Sequence, residues 1–373
     1  MRRLLSLLLV FSIPLPAGAV EAPPRLHAQA WLLIDYATGN VLVEHNADRR
    51  LPPASLTKLM TAYLVFEQLQ VGNIGLEDSV IVSRHAARTR GSRVPLKPGD
   101  QVTVEMLIKS MVLRSANNAT VALAEYIAGS EAAFVAAMNA RARAWGLRGT
   151  SFGNSSGLDK PGHLSTARDL SRIAAALIRD FPDYYRWFSL RDFAFNDRVV
   201  YNSNGLLWRN AMVDGIKTGY TRHAGWCLIA TANQEHMRLI AAVLGAPSDG
   251  ARVHASQRLL EYGFRNYETR LLYAANRPAV EIRVWRGDSA LLPLGITENV
   301  YLMLPRGTYA RLQTRLHLED AAYARVRYGE RLGVLRLQLD DMLLGEYPLI
   351  ALKDIRADGM VQRAIDHLQL RLH

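Results

Sequence analysis

Cysteine is almost absent: Cys227 stands alone in 373 residues, so neither an intramolecular disulfide framework nor a cysteine-built zinc site can form. The ten histidines include no H-E-x-x-H and no other metal spacing, so no metal and no cofactor is expected. After the N-terminal segment no stretch approaches the length of uninterrupted apolar sequence that a membrane-spanning helix needs. Internal repeats and low-complexity tracts are lacking as well. With 49% hydrophobic and 21% charged residues, 26 Gly and 15 Pro, the composition excludes disorder, collagen and coiled coil and points to a globular protein of about two domains. Acidic residues are in deficit, 34 against 45 basic ones, which gives a net charge of +11 and suits an anionic partner of some kind. Lysine is scarce too. Only six of the basic residues are lysines, Lys58, Lys97, Lys109, Lys160, Lys217 and Lys353, and the rest are arginine.

The N-terminus has the layout of a cleaved secretory signal over residues 1–19. Met1-Arg2-Arg3 precedes an apolar run from Leu4 to Ile13, then Pro14, Pro16 and the small triplet Ala17-Gly18-Ala19. The run is too short to span a bilayer, so the remainder is expected to be exported as a soluble or surface-bound protein. Export makes nucleic acid an unsuitable partner for the positive charge.

Ala30 to Asp35 reads as a buried strand, Thr38-Gly39 as a turn and Val41 to Val43 as the hairpin partner. Helical periodicity follows at Leu56–Leu69, Val104–Leu113, Ala119–Ala128, Glu131–Trp145 and Thr166–Arg179, and strand patterns return at Trp226–Ala232 and Arg238–Leu244. Strands at both ends of a helical middle predict one sheet, its edges drawn from both ends of the segment and its faces covered by helices. Beyond Tyr262–Asn276 the pattern alternates at Val280–Trp285, Arg311–Leu318 and Arg331–Leu339, with turn signals at Gly287-Asp288, Arg306-Gly307 and Gly345. That predicts a small all-β domain over 277–353.

Three short motifs carry the chemistry. In Pro53-Ala54-Ser55-Leu56-Thr57-Lys58, Ser55 and Lys58 share one face of a helix start, so the hydroxyl and the amine come within hydrogen-bond reach. A neutral lysine can accept the proton of a serine nucleophile, which arginine cannot do, and a chain that otherwise prefers arginine keeps lysine here. A helix start also aims backbone N–H groups at a developing oxyanion. Ser55 has a plainer reading as a helix cap. Ser115-Ala116-Asn117 sits between two helices and offers a relaying hydroxyl and a carboxamide that can hold a peptide, or simply a turn. Lys217-Thr218-Gly219, followed by Tyr220, belongs on an edge strand where glycine admits another backbone. Lys217 would meet a substrate carboxylate and keep Lys58 neutral by repulsion. The order and spacing of the set, S-x-x-K, then S-x-N, then K-T-G, is that of the penicillin-interacting serine enzymes.

On these motifs, and on Leu96-Lys97-Pro98-Gly99, Gly157-Leu158-Asp159, Ser165-Thr166-Ala167-Arg168-Asp169 and Asn204-Gly205-Leu206-Leu207-Trp208, the sequence resembles the D-alanyl-D-alanine carboxypeptidases, the low-molecular-mass penicillin-binding proteins. The resemblance implies an α+β catalytic domain of β-lactamase/transpeptidase type over 25–268, an antiparallel sheet flanked by helices. It also implies a C-terminal β-sandwich over 277–353 and a membrane-associating amphipathic helix over 354–373. By the same resemblance Ser55 is the acylated nucleophile, Lys58 its base and Ser115 a proton relay. Asn117, Lys217, Thr218, Gly219 and Tyr220 bind substrate, with the backbone N–H groups of Ser55 and Tyr220 as oxyanion hole, and Arg252 helps to hold the terminal carboxylate. Ser156 stands where some relatives carry His, and Tyr220 where many do, so those two positions depart from the pattern.

The expected reaction is removal of the terminal D-alanine from peptidoglycan stem peptides through a Ser55 acyl-enzyme, with β-lactams as covalent inhibitors and a periplasmic location. A β-lactamase, a DD-endopeptidase of the same fold and a non-catalytic peptidoglycan-binding protein remain as alternatives. The missing E-x-x-L-N loop weighs against the first, and the β-domain weighs against the first two.

Overall fold

The computed structural model describes residues 20–318, 322–323 and 325–357. The signal segment of residues 1–19 and the predicted helix from residue 358 onward therefore lie outside the described residues. The chain divides into two compact units, Ala22–Arg265 and the part from Asn266 onward, which takes in Glu21.

The first unit is built on a five-stranded antiparallel sheet in the order Val41–His45, Ala30–Asp35, Met237–Ala246, Gly225–Gln234, Val213–Thr221. The two edges thus come from opposite ends of the segment, as the distribution of strand patterns predicts. Ala30–Asp35 is apolar almost throughout because both of its faces are covered. Leu32 and Ile34 join the main core, whereas Leu33 faces the other way, where a Cβ on Gly263 of the helix Asp249–Asn266 would meet the side chains of Leu239 and Leu33. The helix Ala167–Asp180 packs on the sheet through Met237–Ala246 and on the helix Lys58–Gln70. Nine consecutive residues from Lys58 to Phe66, together with Leu69, leave this last helix buried on nearly every side except around Glu67, Gln68 and Gln70. A helix so enclosed gives its first turn a fixed position, and the nucleophile motif sits on that turn.

In the second unit the strands Leu312–Leu318, Arg331–Leu339, Met342–Ala351, Leu291–Gly295, Pro278–Trp285 and Ala322–Tyr323 form one sheet, and Tyr267–Tyr273 pairs with Val300–Pro305 in another. Ile282, Val284, Leu292, Leu294, Leu335 and Leu337 form its core. This unit includes Tyr267–Tyr273, ahead of the alternation that starts near residue 277. Two sequence expectations change. Gly345 is not a turn: it lies inside Met342–Ala351 opposite Leu337, and the chain reverses at Asp340-Asp341, with Asp340 in the left-handed region at φ 53°. Ile355 and Ala357 form bridges to Val326 and Gly287, so the start of the predicted 354–373 helix is extended chain held to the β unit.

Candidate active site

Ala54–Thr57 forms a 3₁₀ turn that leads directly into the helix Lys58–Gln70. Ala54 adopts φ 48°, a left-handed conformation that a residue with a Cβ holds only when its surroundings impose it. The turn is clamped from two sides. From the strand Val213–Thr221, Gly219 comes so close that a Cβ there would lie 3.1 Å from the Ser55 nitrogen. From the loop 153–158, Gly157 lies against the carbonyl of Ala54. That loop is shaped by Asn154, whose Oδ1 accepts from the backbone N–H groups of Ser156 (3.2 Å), Gly157 (2.6 Å) and Leu158 (3.2 Å).

The Lys58 amine is 1% exposed and meets three groups: Ser55 Oγ at 3.0 Å, Asn117 Oδ1 at 2.7 Å and the Ser156 carbonyl at 2.5 Å. Burial, followed by repulsion from Lys217, holds its pKa well below the ordinary lysine value. The larger cause is therefore burial, with the repulsion expected from the sequence coming second. A neutral amine has two N–H bonds and one lone pair. The two carbonyl oxygens can only accept, so they take the two N–H bonds, and the lone pair is left for the Ser55 hydroxyl. The Ser55 hydroxyl is thus hydrogen-bonded to a group able to take its proton.

Asn117 opens the helix Asn117–Ala128, two residues earlier than the periodicity indicates. Both ends of its carboxamide are engaged, Oδ1 by Lys58 and Nδ2 by the Arg90 carbonyl at 2.7 Å. Ser115, at φ 63°, has a buried Oγ with no hydrogen-bond partner among the described residues, although it lines the same cleft as Ser55. A residue at positive φ bearing an unsatisfied buried hydroxyl is costly to keep.

Lys217, also 1% exposed, donates to the Thr218 carbonyl, and burial together with the charge of Arg252 brings its pKa down to about 7. Thr218 and Gly219 line the cleft from the edge strand. Tyr220, 52% exposed, lines it too, and its ring lies on Trp226 with ring centroids 4.3 Å apart. Arg252 reaches the cleft from beneath the strand. Its Nη1 donates to the carbonyls of Gly219 and Cys227, both at 3.0 Å, Asp249 pairs with its other side, and it stacks on Trp226. It therefore fixes the strand that carries Gly219, and most of its donors are engaged in doing so.

The cleft, about 340 Å³, brings together Ser55, Ser115, Asn117, Thr218, Gly219, Tyr220 and Arg252, with Lys58 and Lys217 behind its walls. Gly91, Ser92, Arg114, Gly157, Leu158 and Ser203 also line it, and the sequence motifs do not mark them as site residues. The carbonyls of Ser156 and Arg90 could not be found by residue type, because every residue has one. No carboxylate lines the cleft among the described residues, and no cluster of potential metal ligands occurs among them.

Behind Thr57 lies a further support. Thr57 Oγ1 donates to the Ala54 carbonyl at 2.8 Å and contacts His163 Nε2 at 2.7 Å, while His163 Nδ1 accepts from the Gly153 N–H at 3.1 Å. Nδ1 is thus unprotonated, and the proton of the neutral ring sits on Nε2 and points at Thr57. Burial first, then the Lys160 charge, lowers the pKa of His163 to about 4. An unfolded histidine titrates near 6.5, so the neutral ring's contribution is complete above that pH and is lost as the pH falls towards 4, up to about 3 kcal/mol in all. We expect wild type to lose stability more steeply than His163→Asn between those two pH values, as read from urea midpoints. Parallel curves would refute this.

Comparison with known proteins adds the family. Residues 17–248 match the family model described as D-alanyl-D-alanine carboxypeptidase, and residues 267–357 match that of the penicillin-binding protein 5 C-terminal domain. D-alanyl-D-alanine carboxypeptidase DacC of Escherichia coli K12 is 42% identical over 362 residues, 95% of this chain and 90% of that protein. The structure of penicillin-binding protein 5 from Haemophilus influenzae superposes with a TM-score of 0.81 at 37% identity, covering 90% of this chain and 99% of that one. Penicillin-binding protein D2 of Listeria monocytogenes, solved in an ampicillin-bound form, matches with a TM-score of 0.58 at 31% identity, over 65% of this chain and all of that one. Matched in order over both of its units, the chain belongs to the D-alanyl-D-alanine carboxypeptidase family of penicillin-binding serine peptidases.

Proposed function

We propose that this chain removes the terminal D-alanine from peptidoglycan stem peptides, with Ser55 as nucleophile. The observation that carries the reading is the 3.0 Å contact between Ser55 Oγ and a buried Lys58 amine whose other two partners are acceptors only. In the proposed sequence Lys58 takes the Ser55 proton as Oγ attacks the carbonyl between the two D-alanines. The oxyanion forms against the backbone N–H groups of Ser55 and Tyr220. The proton then reaches the leaving amine through the unpartnered Ser115 hydroxyl, D-alanine departs, and water hydrolyses the ester. Asn117 orients Lys58 and turns its remaining N–H to the peptide. The terminal carboxylate meets Thr218 and Lys217, whose proton it stabilises. β-Lactams acylate the same serine. The absence of a carboxylate from the described cleft lining favours slow release of that adduct and weighs against a β-lactamase, whose hydrolytic water needs a base.

The same proposal places the protein outside the cytoplasm, in the periplasm, on the strength of its N-terminal pattern and the location of such a substrate. Association with the membrane surface through the part of 354–373 that follows Ala357 rests on the apolar stripe of Met360, Ala364, Leu368 and Leu372 in the sequence alone.

The test is D-alanine release from diacetyl-L-Lys-D-Ala-D-Ala, run beside benzylpenicillin hydrolysis and the intact mass of penicillin-treated protein. Release of D-alanine together with a persistent one-to-one adduct is the expected result. Rapid penicillin turnover without release would make the chain a β-lactamase, and neither activity would leave a DD-endopeptidase or a binding protein.

A further inference from the structure

The charges of the cleft do not fall where the motifs alone would put them. Lys58 is held well below the ordinary lysine range, Lys217 titrates near 7, and Arg252 is engaged with Asp249 and two carbonyls. Arg114 is the remaining cation of the lining. It is exposed, and its guanidinium has no ion pair or hydrogen bond among the described residues.

Its backbone, by contrast, is firmly held. The Arg114 carbonyl accepts from Ser92 Oγ at 2.8 Å, the Leu113 carbonyl accepts from Ser203 Oγ at 2.9 Å, and the Asn117 N–H donates to the Ser92 carbonyl at 2.7 Å. The side chain thus leaves from a fixed point beside Ser115, in the part of the lining formed by Arg114, Ser115 and Asn117 rather than by the strand Val213–Thr221. Arg88, at the end of the helix Arg84–Arg88, and Arg90 and Arg93, on the loop that supplies Gly91 and Ser92, are likewise exposed and without an ion pair among the described residues. No carboxylate in the described lining offsets the charge of Arg114.

We infer that Arg114 determines substrate choice by binding a side-chain carboxylate on the residue that precedes the D-Ala–D-Ala pair. This rests on the carboxypeptidase reading and deepens it. The terminal carboxylate belongs to the Lys217–Thr218 strand, so an unpaired guanidinium on a different segment of the lining, beside Ser115, serves a second anion, carried on the acyl part of the substrate. Arginine suits the task because its fork matches a carboxylate and its charge persists at any working pH.

The experiment compares N-acetyl-α-aminoadipyl-D-Ala-D-Ala with its side-chain carboxamide, two peptides that differ only in that charge. Wild type is expected to favour the carboxylate about tenfold in kcat/KM, mainly through KM, and to lose much of the preference at high salt. In Arg114→Gln the ratio falls to about one. A second arm compares acylation by carbenicillin, which carries a carboxylate on its side chain, with acylation by benzylpenicillin, and the same change in ratio is expected. Equal use of the two peptides by wild type, a ratio that survives in Arg114→Gln, or an equal loss on both peptides would overturn the inference. The last of these would assign Arg114 to the terminal carboxylate instead. If no peptide releases D-alanine while penicillins still acylate Ser55, the carboxypeptidase reading fails, and the carbenicillin arm alone decides for or against Arg114.

Discussion

Lys58→Arg is expected to lose about four orders of magnitude in both D-alanine release and penicillin acylation, close to the loss in Ser55→Ala, although it keeps a positive charge at the same place. The reason lies in proton accounting. The amine has two acceptors that can only receive hydrogen and one hydroxyl that can give it. A neutral Lys58 satisfies all three and stands ready to take the Ser55 proton. Arginine stays protonated at any working pH, has no lone pair to offer, and would place a permanent charge where burial opposes one. If Lys58 acted only as a cation, arginine would retain much of the rate. Lys58→Met, of similar volume and uncharged, separates loss of the base from misfolding: its melting temperature should stay near that of wild type while its acylation falls as far as in the arginine variant. Raising the pH should rescue neither variant. Recovery of Lys58→Arg at alkaline pH, or a loss of less than tenfold, would remove Lys58 from the role of base.

What the sequence made legible follows a physical line. Residues whose chemistry demands one side chain stood out: a nucleophilic hydroxyl at Ser55, a lysine at 58 and another at 217 in a chain that otherwise uses arginine. Those two lysines prove to be the buried ones among the described residues, which is where a pKa can be moved furthest. The central sheet was legible because its inner strands, Ala30–Asp35, Gly225–Gln234 and Met237–Ala246, are largely apolar on both faces and its helices keep their period. Groups that act through the backbone left no trace, as with the Ser156 carbonyl that takes one Lys58 hydrogen and the Arg90 carbonyl that holds Asn117. Arg114 was hidden for the opposite reason, since a chain so rich in arginine gives no one of them prominence. In the second unit, Gly345 suggested a turn, yet a glycine also fits a strand where a neighbour covers the place of its missing side chain. Here the Tyr347 ring does so, and a Cβ would lie 2.9 Å from its hydroxyl oxygen.

Gly157→Ala is expected to cost at least two orders of magnitude in penicillin acylation without touching a single reacting side chain. Gly157 has φ +91°, and a Cβ there would lie 1.9 Å from the Ala54 carbonyl oxygen, 2.3 Å from its carbon and 2.8 Å from the Ser55 nitrogen. These are backbone atoms, so no side-chain rotation relieves the overlap. Either the 3₁₀ turn or the loop 153–158 must retreat by more than an ångström. Retreat of the turn displaces the Ser55 N–H and hydroxyl; retreat of the loop withdraws the Ser156 carbonyl from Lys58. Each path breaks the geometry that couples nucleophile to base, and a misplacement of about 1 Å is enough for a hundredfold loss. The conformational cost of an alanine at positive φ, about 1–2 kcal/mol, has to be separated from this steric effect. Gly162→Ala provides the control, because Gly162 has φ +78° and no atom within 4 Å of where its Cβ would be. Both variants should lower the melting temperature by a few degrees, whereas only Gly157→Ala should lose acylation. Equal activity in the two would mean that the contact between loop 153–158 and the nucleophile turn is structural filling, and that Lys58 finds its position without it.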